Sequence, residues 1–155
     1  MIRTERRLRL CICLICLMLI FIWGNSMLPG EISQAFSDWV KALLEKLLLE
    51  EGLDDPQGGS GLIRKIAHFT EFTVLGVLLS WLFGMLRKGK LWPILWGAAA
   101  ACADETIQFF VPGRSPGLKD VAIDTAGILT GLILLLIGHT CIKKKTHNHY
   151  LEDKQ

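Results

Sequence analysis

Nine residues that can donate, accept or carry charge fall in or beside otherwise apolar stretches: Lys65, His68 and Glu71; Asp104, Glu105 and Gln108; Arg114; Asp120 and Asp124. Carboxylates crowded beside a histidine can do acid–base work, because crowding pushes their proton affinities apart. His68, Glu71, Asp104 and Glu105 are the candidates for such a role, although the sequence assigns none of them as catalytic. His68 with Glu71 (i, i+3), joined by Asp104 or Glu105, also offers a donor set for a divalent cation. No full metal signature such as HExxH is present, so neither a metal nor a cofactor is expected. Lys65, His68 and Arg114 have the charge to receive an anionic headgroup or pyrophosphate. All nine residues therefore form one candidate ligand-binding set.

Helical phase groups them further. At about 100° per residue, Gly61, Lys65, His68, Phe72 and Gly76 share a face, as do Gly97, Ala101, Asp104 and Gln108, and Asp120, Asp124, Gly127 and Gly131. On the last two faces the carboxylates lie along a row of small residues, which lets helices approach closely. These faces are predicted to point inward at one another, with Glu71 and Glu105 flanking the cluster.

The elements that must position them are membrane helices. Apolar residues make up 51% of 155 positions and the mean hydropathy is +0.40, above the usual range for a soluble domain. Four spans are predicted, at about 8–23, 62–86, 91–111 and 120–142. The first has the basic-then-apolar layout of a signal peptide, but Gly-Asn-Ser-Met-Leu-Pro-Gly after Trp23 carries no clear small-x-small cleavage site, which favours a retained span. Between the first two spans, Val40, Leu43, Leu44, Leu47 and Leu48 recur at helical spacing opposite Lys41, Glu45 and Lys46. They predict an amphipathic extracytoplasmic helix beginning near Trp39, capped by Ser37 or Asp38. Residues 54–61 read as a loop and Pro112–Gly117 as a turn.

The fold class is thus all-α: a polytopic membrane helical bundle of about four transmembrane helices plus the amphipathic one. Residues 1–142 form the membrane domain and 143–155 a charged cytoplasmic tail. Basic residues cluster at Arg3–Arg9, Arg87–Lys90 and Lys143–Lys145. Four spans put all three clusters on one side, which the positive-inside rule makes cytoplasmic, with both termini. Charge placed this way suits topology rather than nucleic acid. The polar residues then all fall in the outer leaflet. Cys11, Cys13, Cys16, Cys102 and Cys141 lie in apolar stretches as small hydrophobes, and neither a disulfide framework nor a metal cluster is expected of them. His139 is placed at the interface, and His147 and His149 in the tail.

Three motifs carry a family resemblance. Lys65-Ile66-Ala67-His68-Phe69-Thr70-Glu71-Phe72 resembles the K-x-x-H-x-x-E-[YF] segment of VanZ-like membrane proteins, with Phe72 where tyrosine is common. Asp104-Glu105-Thr106-Ile107-Gln108-Phe109-Phe110-Val111-Pro112-Gly113-Arg114 is similar to that family's D-E-x-x-Q-x-x-x-P-x-R. Asp120-Val121-Ala122-Ile123-Asp124-Thr125-Ala126-Gly127, followed by Gly131, is similar to its D-x-x-x-D/N-x-x-G-x-x-x-G, and Ser26 and Ser33 fit its serine-containing exit from the first span. The resemblance covers about residues 10–140. It implies a multi-pass protein of the bacterial cell membrane and envelope, linked to resistance or tolerance toward the glycopeptide antibiotic teicoplanin. Its expected partners are membrane lipids and a lipid-linked cell-wall precursor or glycopeptide, held in an outer-leaflet polar cleft. The alternatives are an intramembrane enzyme acting on a cell-wall lipid intermediate, and a structural scaffold in which the polar groups only fix helix packing.

Overall fold

The computed structural model describes residues 2–48 and 58–152. Among these it contains five α-helices and no strand: α1 (Ile2–Ser26), α2 (Gly30–Leu48), α3 (Gly58–Met85), α4 (Leu91–Phe109) and α5 (Leu118–Glu152). Three are long and apolar enough to cross a membrane, at Thr4–Ser26, Gly61–Met85 and Leu118–Cys141, which fits a membrane protein. The stretch expected to be the third span forms α4, whose 19 residues end in the polar run Asp104, Glu105 and Gln108. It falls outside that apolar set.

The outside of the bundle is oily and the inside partly polar. Leu17, Ile20, Leu91, Trp96 and Ile133 are exposed, whereas Ser26, Asp104, Gln108 and Asp124 are buried. In water so much exposed apolar surface would drive association. Hydrocarbon makes it the stable arrangement, because there the polar groups must find partners within the protein. Cys11 is buried and the other four cysteines are exposed on this surface; all five are free thiols.

α3 is the central helix and packs against each of the other four. Its closest partner is α5. A side chain at Gly76 would meet the Ile128 carbonyl oxygen at 2.5 Å, one at Gly127 would meet that of Phe69 at 2.6 Å, and one at Gly131 would collide with the Thr73 carbonyl. The small-residue face of the fourth apolar stretch, expected to point at the third, thus packs most closely on α3, backbone against backbone. Gly97 of α4, on the small-residue face of the third stretch, packs instead on the Ile128 side chain of α5.

Contacts at the ends fix how the helices run. The α1 C-terminus meets the α4–α5 turn, where Gly30 N–H donates to the Pro112 carbonyl at 3.0 Å. Near the other end, the Cys11 thiol lies 3.5 Å from the Leu78 carbonyl. Hence the start of α1, the α3–α4 turn and the end of α5 share one end of the bundle, and the three basic clusters share it with them. The α3–α4 turn closes with Arg87 in the left-handed region (φ 54°), where Lys88 N–H returns to the Phe83 carbonyl at 2.9 Å.

Several boundaries differ from those expected. α2 begins at Gly30, directly after Pro29, so Ser37 and Asp38 lie inside the helix rather than capping it. The Ser37 hydroxyl donates back to the Ser33 carbonyl at 3.0 Å, a local bond that leaves it free of any capping role. Gly58–Gly61, expected in a loop, open α3; at a helix N-terminus the amides need no intrahelical acceptor, so glycine is tolerated there. Residues 54–57 of that loop lie outside the described residues. α5 continues past Ile142 through the lysine run. Lysine is a good helix former, and basic residues suit the C-terminal end of a helix dipole. The side chains of His147 and His149 lie outside the described residues, and His139 is exposed.

Candidate functional site

The end of the bundle opposite the basic clusters gathers the polar residues. Asp104 and Gln108, one turn apart on α4, are held together by Gln108 Nε2 donating to Asp104 Oδ2 at 2.8 Å, and the same nitrogen lies 3.3 Å from the Ser26 hydroxyl of α1. From α3, His68 Nδ1 lies 3.7 Å from Asp104 Oδ2. Asp124 of α5 is fully buried beside them. A small cavity of about 10 Å³ there is bordered by Arg64, Lys65, His68, Glu105, Gln108, Asp120 and Asp124, among others. Seven of the nine expected residues therefore gather here, Asp104 through its bond with Gln108, while Glu71 and Arg114 line a neighbouring groove.

The two flanking glutamates each serve a helix end. Glu105 Oε2 accepts the Gly117 N–H at 2.8 Å, immediately before α5. A carboxylate there satisfies one of the free amides and complements the helix dipole, as does Asp120 in the first turn. Glu71 Oε1 accepts from the Asn25 side-chain amide at 3.2 Å, tying α3 to the end of α1.

Arg114 acts on α1 as well. Its Nη2 donates to the Asn25 carbonyl at 2.8 Å and its Nε to the Leu28 carbonyl at 3.1 Å. These carbonyls lie at and just past the C-terminus of α1, where acceptors lack intrahelical partners and a positive charge is favoured. A pairing of Arg114 with Asp120 is one the residue types permit; the hydrogen bonds go instead to backbone oxygens. Burial pulls the Arg114 guanidinium below its ordinary proton affinity, Arg64 adds to that, and Asp104 and Glu105 oppose it. A guanidinium still remains charged.

A second recess opens between α2 and α3. This groove of about 370 Å³ has a polar end made by Asn25, Arg64, His68, Glu71 and Arg114, and apolar walls that include Ile32, Phe36, Val40 and Ile63. His68 borders both it and the small cavity.

Sequence reasoning missed Arg64. Lys65 is exposed at the rim, whereas Arg64 borders both recesses. The signal was present: Arg64, His68 and Glu71 stand at i, i+4 and i+7 and form one stripe, which meets the stripe through Lys65 at His68. Asn25 was also missed, because half its contribution is a backbone carbonyl, which no side-chain pattern encodes.

Several side-chain atoms here are buried without a hydrogen-bond partner among the described residues: His68 Nδ1, Glu71 Oε2, Asp104 Oδ1, Arg114 Nη1 and Asp124 Oδ2. Such groups cost about 1–3 kcal/mol each when unsatisfied. They are concentrated at one end of the bundle.

No curated protein and no solved structure matches the chain. The profile of one family does match, VanZ/LLP1, over residues 10–139. That span takes in the last two thirds or so of α1, the whole polar end and most of the apolar part of α5. On that match, with all three polar motifs inside it, the chain belongs to the VanZ/LLP1 family.

Proposed function

We propose that this VanZ-family protein holds an amphiphile of the bacterial envelope, its anionic head in the groove between α2 and α3 and its apolar part along Ile32, Phe36 and Val40. The observation that carries the proposal is the groove's own polarity. Two guanidinium groups, Arg64 and Arg114, stand with Asn25, His68 and Glu71 at the polar end of a channel whose other walls are mainly apolar, and Arg114 Nη1 is buried without a hydrogen-bond partner among the described residues. Guanidinium matches phosphate and carboxylate oxygens in geometry and charge. A larger cavity of about 610 Å³ between α1, α3 and α4, lined by residues such as Trp23, Leu79, Phe83, Trp92 and Trp96, offers only Lys88 as a charged group. It suits acyl chains and not headgroups.

The positive-inside rule puts the polar end at the outer face, since all three basic clusters occupy the other. An outer-leaflet lipid or a lipid-linked cell-wall precursor then reaches the groove without crossing the membrane. Sequestering such a molecule is a direct route to tolerance of a glycopeptide that acts on it, which accords with the link the family carries to teicoplanin.

The test is binding by the purified full-length protein, freed of metal with a chelator, to nanodiscs of phosphatidylcholine doped with phosphatidylglycerol or a polyprenyl phosphate. Retention of the anionic lipid, weakened about fivefold or more in Arg64→Ala, supports the proposal. Equal retention of neutral and anionic lipids overturns it.

A second reading has its own observation. His68 borders the groove as well as the buried carboxylates, so it stands where a bound headgroup could exchange a proton. That reading makes the protein an intramembrane enzyme acting on a cell-wall lipid intermediate. Turnover of a labelled polyprenyl-phosphate lipid, lost in His68→Ala while the lipid still binds, separates catalysis from capture.

A further inference from the structure

One constellation is explained neither by the groove nor by helix packing. His68, Asp104 and Asp124 come from three different helices, and one ligand atom of each lies within 4.8 Å of the other two. Asp104 is 0% exposed and Asp124 1%, while His68 is 15% exposed. Each also keeps a buried polar atom without a hydrogen-bond partner among the described residues: His68 Nδ1, Asp104 Oδ1 and Asp124 Oδ2. Two carboxylates facing each other in a membrane bundle are costly unless a cation or a shared proton stands between them. The nearby guanidinium of Arg114 spends its hydrogen bonds on backbone carbonyls.

We propose that His68, Asp104 and Asp124 bind a divalent first-row transition cation of the Zn²⁺ or Mn²⁺ kind. Its charge offsets both carboxylates, and its coordination takes one ligand atom from each of the three side chains. The imidazole argues for this class over Mg²⁺ and Ca²⁺, which take oxygen ligands throughout. In a tetrahedral site with bonds of about 2.1 Å, ligand atoms stand roughly 3.4 Å apart. The 3.7 Å between His68 Nδ1 and Asp104 Oδ2 is close to that chord, and the separations to Asp124 lie within 4.8 Å. The outer support is in place: Gln108 donates to Asp104 Oδ2 at 2.8 Å and is steadied by Ser26 at 3.3 Å. Such partners orient metal ligands. Three protein ligands leave a coordination position open, and the small cavity bordered by His68, Gln108 and Asp124 has about the volume of one water molecule. The metal site does not rest on the amphiphile reading, since it binds with the groove vacant.

The experiment uses the full-length protein with an affinity tag free of histidine, in detergent, stripped with a chelator and titrated separately with Zn²⁺, Mn²⁺, Mg²⁺ and Ca²⁺. One equivalent of Zn²⁺ or Mn²⁺ should bind and raise the Tm, with Mg²⁺ and Ca²⁺ weaker by roughly 100-fold. Asp124→Asn and His68→Gln should weaken binding about tenfold or more, whereas the double variant His147→Ala/His149→Ala should bind like the parent. X-ray absorption of the Zn²⁺-loaded parent should show a single imidazole among oxygen ligands, which decides the matter even if the site variants fail to fold. Absence of a bound equivalent, a signature of two imidazoles, equal affinity for Mg²⁺, or binding lost only in the tail variant would each overturn the proposal.

Discussion

Arg114 Nη2 donates to the Asn25 carbonyl across 89 residues of sequence, at 2.8 Å. That bond joins the turn before α5 to the end of α1, and the Asn25 side chain extends the tie to Glu71 on α3. A loop arginine and a helix-end asparagine thereby hold three helices at the level where the polar residues meet. Either proposed role, capture or catalysis, would draw its geometry from this clamp.

Replacing Arg114 tests the clamp. Arg114→Ala removes two charge-assisted hydrogen bonds to helix-end carbonyls and should cost about 2–4 kcal/mol, read as a lowered Tm in detergent. Arg114→Lys should recover less than half of that, because a single ammonium cannot reproduce the two-pronged geometry. Full recovery by lysine would show that charge alone matters.

The α3–α5 contact makes a sharper claim. A Cβ at Gly131 has no space beside the Thr73 carbonyl, and one at Gly127 comes within 2.6 Å of the Phe69 carbonyl. Gly131→Val should prevent stable accumulation, measured by monodispersity after extraction. Gly24→Ala and Gly138→Ala, where an added Cβ meets nothing within 4 Å, should accumulate normally.

Glu105 separates a capping role from an acid–base role. Its bond to the Gly117 N–H needs only an acceptor, so Glu105→Gln should cost less than about 1 kcal/mol while Glu105→Ala costs about 1–2 kcal/mol in thermal unfolding. If Glu105→Gln instead abolishes a glycopeptide-tolerance phenotype at unchanged abundance, the carboxylate itself takes part in function.

Much of this arrangement is legible in the sequence, and the part that is not has a physical cause. Hydropathy marks α1, α3 and α5 because hydrocarbon demands long apolar runs, and the Gly127/Gly131 face announces close packing because only small residues permit it. Asp104 and Gln108 could be placed on one inward face by helical phase alone. Phase could not choose between Lys65 and Arg64, since a basic side chain on either stripe can reach headgroup depth. Nor could it show that Arg114 and Glu105 serve helix ends, because their partners are main-chain groups that every residue carries. The start of α2 was misplaced for a related reason: the tertiary contact of Gly30 with the α4–α5 turn fixes it, not a capping side chain.

The central claim is that residues of α3 and the α4–α5 turn line one recess open to the outer face of the membrane. Cysteine accessibility in intact cells tests it most directly, using a background in which Cys11, Cys13, Cys16, Cys102 and Cys141 are replaced by alanine or serine. Lys65→Cys and Ser115→Cys should both react with a membrane-impermeant maleimide added outside, and Lys88→Cys only after permeabilisation. Labelling of Lys65→Cys and Ser115→Cys from opposite sides would contradict the account.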